Sequence, residues 1–110
     1  MYRNERRIFV RVNTDFPVKI THPIAQLVTD ARCCDASAAG VGLITENRLL
    51  PATSLKLQLR IPNGHAPFES LARVVWSKQV QENKWRSGLE FAQINLMGMR
   101  RVYEKTDIKA

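Results

Sequence analysis

The run SLKLQLRI occupies residues 54–61 and is the clearest indication of the fold class. Its leucine and isoleucine side chains fall on every second position, and polar side chains fill the positions between them. An extended strand with this alternation buries one face and leaves the other in water. The turn-forming residues Pro62, Asn63 and Gly64 then end the strand.

Further short strands are predicted on both sides of this run. With it, the predicted strands cover residues 16–20, 26–34, 41–45, 54–61, 68–80 and 85–91. The polar residues 81–84 separate the last two strands, which are therefore predicted to form a hairpin. Short strands joined by turns, without helices between them, indicate an all-β antiparallel barrel or sandwich.

The hydrophobic period changes near the C-terminus. Leu96, Met99 and Tyr103 follow the i, i+3, i+7 spacing of one helix face, and Asn95 is a suitable N-cap. A helix is predicted over 95–106. We expect it to cover an open end of the β-structure; the alternative is a helix that binds a partner.

Length and charge bound the function. With 110 residues, the chain is predicted to form one domain, 1–110. Seventeen Lys and Arg against ten Asp and Glu give a net charge of +7, which indicates an anionic partner or simply a solvated basic surface. No apolar run approaches the roughly 20 residues that cross a bilayer, and the N-terminus does not resemble a signal peptide, so we expect a cytoplasmic protein without membrane insertion.

The sequence carries no recognisable catalytic or metal-binding pattern. Cys33 and Cys34 are adjacent and have no second pair to complete a zinc site, so buried or half-buried free thiols are expected. The sequence contains no recognisable nucleophile–base pair, paired carboxylates or metal-ligand set. We therefore expect neither an enzyme nor a bound cofactor or metal.

Two segments that carry charged or polar side chains flank the first two strands. Residues 6–11 precede the first strand and carry Arg6, Arg7 and Arg11, whereas residues 35–40 follow the second. If the two strands pair as an antiparallel hairpin, the start of one lies beside the end of the other. Both segments would then form one site at one end of the sheet.

The residue types in these segments favour a small ligand with phosphates and guanines. The planar guanidinium of arginine binds phosphate oxygens and the O6/N7 edge of guanine in a bidentate manner. Asp35 can accept hydrogen bonds from the opposite guanine edge, and Ser37 adds a hydroxyl that donates or accepts. Gly40 permits a left-handed turn or a close approach of the ligand to the backbone.

These residues resemble the two motifs of the PilZ domain, a bacterial family. Arg7 and Arg11 match its RxxxR motif, and the segment DASAAG at 35–40 matches its [D/N]xSxxG motif. Arg3 and Arg7 also have the RxxxR spacing, but the Arg7–Arg11 register fits the distance to the first strand better. The similarity continues through residues 11–18, 74–76 and 88–91, and so covers nearly the whole chain.

The resemblance implies a six-stranded antiparallel barrel that binds the second messenger cyclic di-GMP. Arg7 and Arg11 would bind phosphates and guanine, and Asp35, Ser37 and Gly40 would surround the other guanine. An arginine at the position of Arg6 accompanies an intercalated ligand dimer in the family, which implies two ligand molecules per chain. Binding would order a flexible segment, 1–12, and so signal to a partner protein.

Two other functions remain as alternatives. Small basic barrels bind single-stranded nucleic acid through exposed aromatic side chains. Here Phe16, Trp76 and Phe91 occupy strand positions typical of a core, although Trp76 could lie near the barrel mouth, so nucleic acid is not the expected partner. The other alternative is an interaction module that has lost its ligand, which the intact motifs argue against.

Overall fold

The computed structural model describes residues 11–62 and 67–93 of the chain. The predicted helix at 95–106 lies outside the described residues. Arg6 and Arg7, and the greater part of the N-terminal segment predicted to be flexible, lie outside them as well. Within the described part, no helix is long and apolar enough to cross a membrane.

Six strands form the described part of the molecule. They are β1 (Val12–Thr21), β2 (Val28–Ala36), β3 (Gly40–Thr45), β4 (Ser54–Leu59), β5 (Phe68–Gln81) and β6 (Lys84–Phe91). All neighbours are antiparallel, in the order β1-β2-β3-β6-β5-β4, and pairing of β4 with β1 closes the barrel. The six-stranded antiparallel barrel and both predicted hairpins, β1–β2 and β5–β6, are confirmed.

Alternation along the strands builds the core of the barrel. Leu57 and Leu59 on β4 are 0% exposed, as the period-2 pattern of residues 54–61 predicts. Phe68 and Phe91 close the core with an edge-to-face contact, their ring centroids 6.0 Å apart at 85°. The burial of apolar surface along the inner face of every strand is therefore the main stabilising contribution to the barrel.

The strand ends differ slightly from the sequence-based boundaries. β1 begins at Val12, which is 4% exposed, rather than at residue 16, because Val12 and Asn13 pair with the end of β2. The β5–β6 hairpin turns through two residues between Gln81 and Lys84, and Asn83 adopts the left-handed conformation there (φ 57°). Asparagine tolerates this conformation better than most residues, and so permits the tight turn.

Candidate functional site

One lateral row of residues crosses the outer face of four neighbouring strands. Asp35 on β2 is in register with Gly42 on β3, Gly42 with Gly88 on β6, and Gly88 with Trp76 on β5. Neighbouring strands lie about 4.8 Å apart. A carboxylate and an indole therefore stand at the two ends of a row whose centre has no side chains.

A β-bulge turns Asp35 to the outer face. Cys33 pairs with Leu43, and both side chains are 0% exposed inside the barrel, but the next pair is Asp35 with Gly42. Between these two pairs β2 advances by two residues and β3 by only one. Inward and outward positions on β2 are therefore exchanged after the bulge. Without the extra residue, Cys34, the Asp35 carboxylate would point into the apolar core.

A second bulge does the same for Trp76. Val74 pairs with Leu89 and both are buried, but the next pair is Trp76 with Gly88. The extra residue is Val75, and Trp76 is consequently 40% exposed. The core position expected for Trp76 is therefore wrong, whereas Phe16 and Phe91 are buried as expected.

Asp35 is held between two arginines. Arg11 donates from Nη1 to Oδ1, and Arg86 donates from Nη2 to Oδ2 at 2.8 Å. The Asp35 side chain is only 10% exposed, whereas both arginine side chains are 49% exposed. Hydrogen bonding to Asp35 raises the pKa of Arg86 further above its ordinary value. Two charge-assisted contacts thus compensate one nearly buried carboxylate.

The contact between Arg11 and Asp35 is the one that the hairpin predicts. Arg11 immediately precedes β1, and Asn13 pairs with Asp35 near the end of β2. The start of the first strand therefore lies beside the end of the second. Arg6 and Arg7, the other arginines of the expected cluster, fall outside the described residues.

Ser37 and Gly40 build the turn between β2 and β3. The Ser37 amide donates to the Gly40 carbonyl at 2.8 Å, and the Ser37 hydroxyl accepts from the Ala39 amide at 3.1 Å. Ser37 is 3% exposed. In this structure its hydroxyl thus stabilises the turn that carries the chain from Asp35 to β3.

Gly40 is required by close packing against β6. A methyl group at Gly40 would stand 2.1 Å from the Leu89 carbonyl oxygen, which is closer than real Cβ atoms approach. Gly40 is not in the left-handed region, so the expected left-handed turn is wrong at this position. The expected close approach to a ligand stays a prediction.

A cavity of about 250 Å³ covers the row. Its charged wall is formed by Asp35 with Arg11 and Arg86, and its apolar wall by Val75 and Trp76. The remaining lining residues are Ala39, Gly40, Val41, Gly42, Gly88, Leu89 and Glu90. The guanidinium groups offer donors to an anion, and the indole offers a flat face to an aromatic ring.

Cys34, the bulge residue, lies beside this wall. Its thiol lies 3.7 Å from Asp35 Oδ2. Burial, and then the negative charge of Asp35, raise the pKa of the Cys34 thiol. Cys33 is buried and both cysteines are free, in agreement with the sequence. Among the described residues, no group of His, Cys, Asp and Glu is arranged to hold a metal ion.

Arg86 was missed as a candidate site residue, and its position follows from the topology. Leu89 and Phe91 point inward, so alternation along β6 places Arg86, Gly88 and Glu90 on the outer face. That β6 lies next to β3, and so brings Arg86 to Asp35, depends on the strand order of the barrel. The sequence alone does not specify this strand order.

Comparisons with known proteins agree with the fold. The model of the PilZ domain family matches residues 3–103. No curated protein matches the chain in sequence. Among solved structures, the PilZ domain of Escherichia coli YcgR with c-di-GMP is 15% identical, with a TM-score of 0.69 over 94% of this chain and 99% of that one.

Two other similar structures contain additional chain. The Bacillus subtilis inhibitor of motility, MotI/DgrA, is 16% identical, with a TM-score of 0.69 over 93% of this chain and 52% of that one. The K. pneumonia MrkH–c-di-GMP complex is 13% identical, with a TM-score of 0.61 over 87% and 48%. The chain therefore spans about half the length of these two proteins.

Proposed function

Because the chain belongs to the PilZ domain family, we propose that it is a receptor for cyclic di-GMP. The observation that carries the proposal is the Asp35 carboxylate between Arg11 and Arg86 at the wall of an open cavity. Structures of similar fold have been solved with c-di-GMP. The protein acts in the cytoplasm as a binding protein rather than an enzyme.

Asp35 selects guanine in this proposal. The Watson–Crick edge of guanine presents N1–H and an amino group, two donors that match a carboxylate. Adenine presents an acceptor at N1 instead, so it leaves the carboxylate without one of its partners. A nearly buried carboxylate that loses hydrogen bonds is costly, which gives discrimination as well as affinity.

Arg11, with Arg7, binds the phosphates and the guanine O6/N7 edge. In the structure Arg11 is paired with Asp35 and half exposed, so its guanidinium is accessible to an entering phosphate. Two phosphates near these two arginines gain charge-assisted, bidentate hydrogen bonds. Ser37 and Gly40 act by fixing the turn beside Asp35, and surround the other side of the guanine.

Trp76 offers its exposed face to a base. The ring lies over Gly88 and lines the cavity opposite Asp35. A base that stacks on an indole gains about 1–3 kcal/mol. A guanine that enters the cavity beside these two side chains would thus contact Asp35 with its edge and Trp76 with its face.

The stoichiometry follows from Arg6. We propose that Arg6 contacts an additional guanine, so that an intercalated dimer of cyclic di-GMP binds. Isothermal titration is expected to saturate at two ligand molecules per chain. Saturation at one molecule would show that Arg6 has no such role.

The output is a change at the N-terminal segment, residues 1–12, that a partner protein recognises. Arg11 leaves Asp35 and binds the ligand instead. The arginines before it bind the same ligand at the barrel surface, which changes the conformation of the segment. One similar structure is named an inhibitor of motility, which supports action on another protein.

Titration of the chain with cyclic di-GMP, cyclic di-AMP, GTP and a short single-stranded DNA tests the function. Cyclic di-GMP should bind most tightly, and Arg7→Ala and Asp35→Ala should abolish or strongly weaken binding. Asp30→Ala is the matched control, since Asp30 is also on β2 but is exposed and paired with Lys19. Tighter binding of DNA, or unchanged affinity in Asp35→Ala, would refute the proposal.

Titration with single-stranded DNA tests the strongest alternative, a protein that binds single-stranded nucleic acid. The exposure of Trp76 and the net charge of +7 are features that single-strand binding proteins share. DNA binding would lack base selectivity and weaken steeply with salt. A chain that binds none of these compounds would instead be an interaction module without a ligand.

A further inference from the structure

The two arginines on Asp35 are anchored differently. Arg86 lies within β6, and its backbone is paired with Ile44 on one side and with Lys78 on the other. Arg11 precedes β1 and lies outside any strand. The two guanidiniums also contact different atoms, Arg11 at Oδ1 and Arg86 at Oδ2. Arg86 is thus held by the barrel on both sides, whereas Arg11 is not.

We propose that Arg86 is a positioning residue that holds the Asp35 carboxylate in the orientation that reads guanine. This inference rests on the proposed function and extends it to a residue outside both sequence motifs. When the ligand enters, Arg11 leaves Oδ1 for the phosphates, and Arg86 remains on Oδ2. Oδ1 of Asp35 is then free to accept a hydrogen bond from the base, while Arg86 still compensates the charge of the carboxylate.

Charge balance is the first reason that Arg86 is needed. The Asp35 side chain is 10% exposed, and the ligand brings two further negative charges into the same cavity. If Arg11 were its only partner, Asp35 would become a nearly buried, uncompensated carboxylate beside two phosphates. Such a group is strongly unfavourable. Arg86 prevents this because its contact does not depend on the departure of Arg11.

Hydrogen-bond capacity is the second reason. An ionised carboxylate has about four acceptor positions, two on each oxygen. Oδ2 can therefore accept from Arg86 and from the guanine amino group at once, with the amino group replacing the weak 3.7 Å contact of the Cys34 thiol, while Oδ1 accepts from N1–H. Arg86 fixes the rotation of the carboxylate about Cβ–Cγ, so its plane is set before the base arrives, which avoids an ordering cost on binding.

The test compares Arg86→Gln with Lys78→Gln. Lys78 is the register partner of Arg86, is exposed and does not line the cavity, so its substitution removes the same charge nearby. Each variant is titrated with cyclic di-GMP and with its inosine analogue, which lacks the exocyclic amino group. Thermal melting and circular dichroism report whether each variant is folded, and Arg86→Lys serves as a conservative second variant.

We expect Arg86→Gln to bind cyclic di-GMP about tenfold more weakly or worse, as loss of a hydrogen bond to a charged group implies. Its preference for cyclic di-GMP over the inosine analogue should also fall. Arg86→Lys should recover part of that preference, and Lys78→Gln should keep all of it. In an Asp35→Asn background, Arg86→Gln should reduce the affinity for cyclic di-GMP little further, because the two residues act as a unit.

Other results would overturn the inference. Equal loss for both ligands, additive with Asp35→Asn, would mean that Arg86 contacts phosphate directly. Arg86→Gln that behaves like Lys78→Gln would mean that it has no role. Absence of cyclic di-GMP binding by the unsubstituted chain would refute the proposed function itself, and this inference with it.

Discussion

The indole of Trp76 lies directly over Gly88, its register partner, so that a methyl group built on Gly88 would stand 2.3 Å from Nε1. At the other end of the same row, a methyl group on Gly42 would stand 2.6 Å from Asp35 Oδ2. Both functional side chains thus occupy space that a glycine leaves empty. The two glycines shape the cavity as much as the groups that line it.

Gly88→Ala is predicted to displace the Trp76 ring. The methyl group overlaps the indole, and the ring can move outward because it is partly exposed. We expect a red-shifted Trp76 fluorescence emission and weaker cyclic di-GMP binding, with the barrel intact. The measurement uses a Trp85→Phe background so that only Trp76 reports. An unchanged emission spectrum would show that the ring is not held over Gly88.

Trp76→Ala is predicted to weaken ligand binding far more than it destabilises the fold. Loss of one stacked base corresponds to about 1–3 kcal/mol, or roughly fivefold to 150-fold in Kd. Trp76→Phe should retain most of the affinity because it keeps an aromatic face. Leu71→Ala is the control, since Leu71 is an exposed apolar residue of β5 that does not line the cavity. Equal affinities of Trp76→Ala and Leu71→Ala would exclude stacking.

Gly40→Ala and Gly42→Ala are predicted to affect different quantities: the first mainly lowers stability, and the second mainly lowers ligand affinity. At Gly40 the methyl group meets the Leu89 backbone, which cannot move without separating β3 from β6, so a loss of about 1–3 kcal/mol or more is expected. At Gly42 the three nearest atoms all belong to the Asp35 side chain, which can shift more readily than backbone. Gly42→Ala should therefore lose less stability than Gly40→Ala, and it should lose ligand affinity because Asp35 is displaced. Denaturant unfolding and ligand titration measure the two quantities, and the reverse ranking would contradict the contacts.

The Cys33 thiol is predicted to make stability depend on alkaline pH. Burial, partly opposed by the hydrogen bond from Thr14, raises the pKa of Cys33 from an ordinary 9.0 to about 12. Between these values the unfolded chain releases the thiol proton and the folded chain keeps it. The free energy of unfolding should therefore fall with rising pH, by up to about 1.4 kcal/mol per unit.

Urea unfolding of the unsubstituted chain and of Cys33→Ala, at about pH 8, 9.5 and 10.5, isolates this contribution. Lysines and tyrosines titrate in both proteins and cancel in the difference. The stability advantage of the unsubstituted chain should shrink as pH rises through this window. A difference that stays constant would mean that Cys33 titrates normally in the fold.

Local periodicity was enough to predict the strands. Leu55 and Leu57 alternate with polar neighbours, and turn residues separate the predicted hairpins, so strand type and approximate ends follow from the sequence. The contact of Arg11 with Asp35 also follows, because antiparallel pairing of consecutive strands brings these positions together. These inferences need only neighbours along the chain.

Bulges and strand order could not be predicted from local periodicity. Strict alternation places Trp76 in the core, and one extra residue, Val75, reverses its direction. A bulge depends on how two strands fit each other, which a pattern within one strand does not contain. The site role of Arg86 was missed for a related reason, since it reaches Asp35 only because β6 lies beside β3.

Closure of the barrel has a consequence for the behaviour of the protein at high concentration. Each of the six described strands has a hydrogen-bonded neighbour on both sides, from β1 around to β4. An exception is the end of β5, residues 75–81, which pairs with β6 alone and so keeps open amide and carbonyl groups on its other side. Where a strand is paired on both sides, strand addition from another copy would have to begin with unfolding, so the stability of the barrel is also its protection against cross-β assembly.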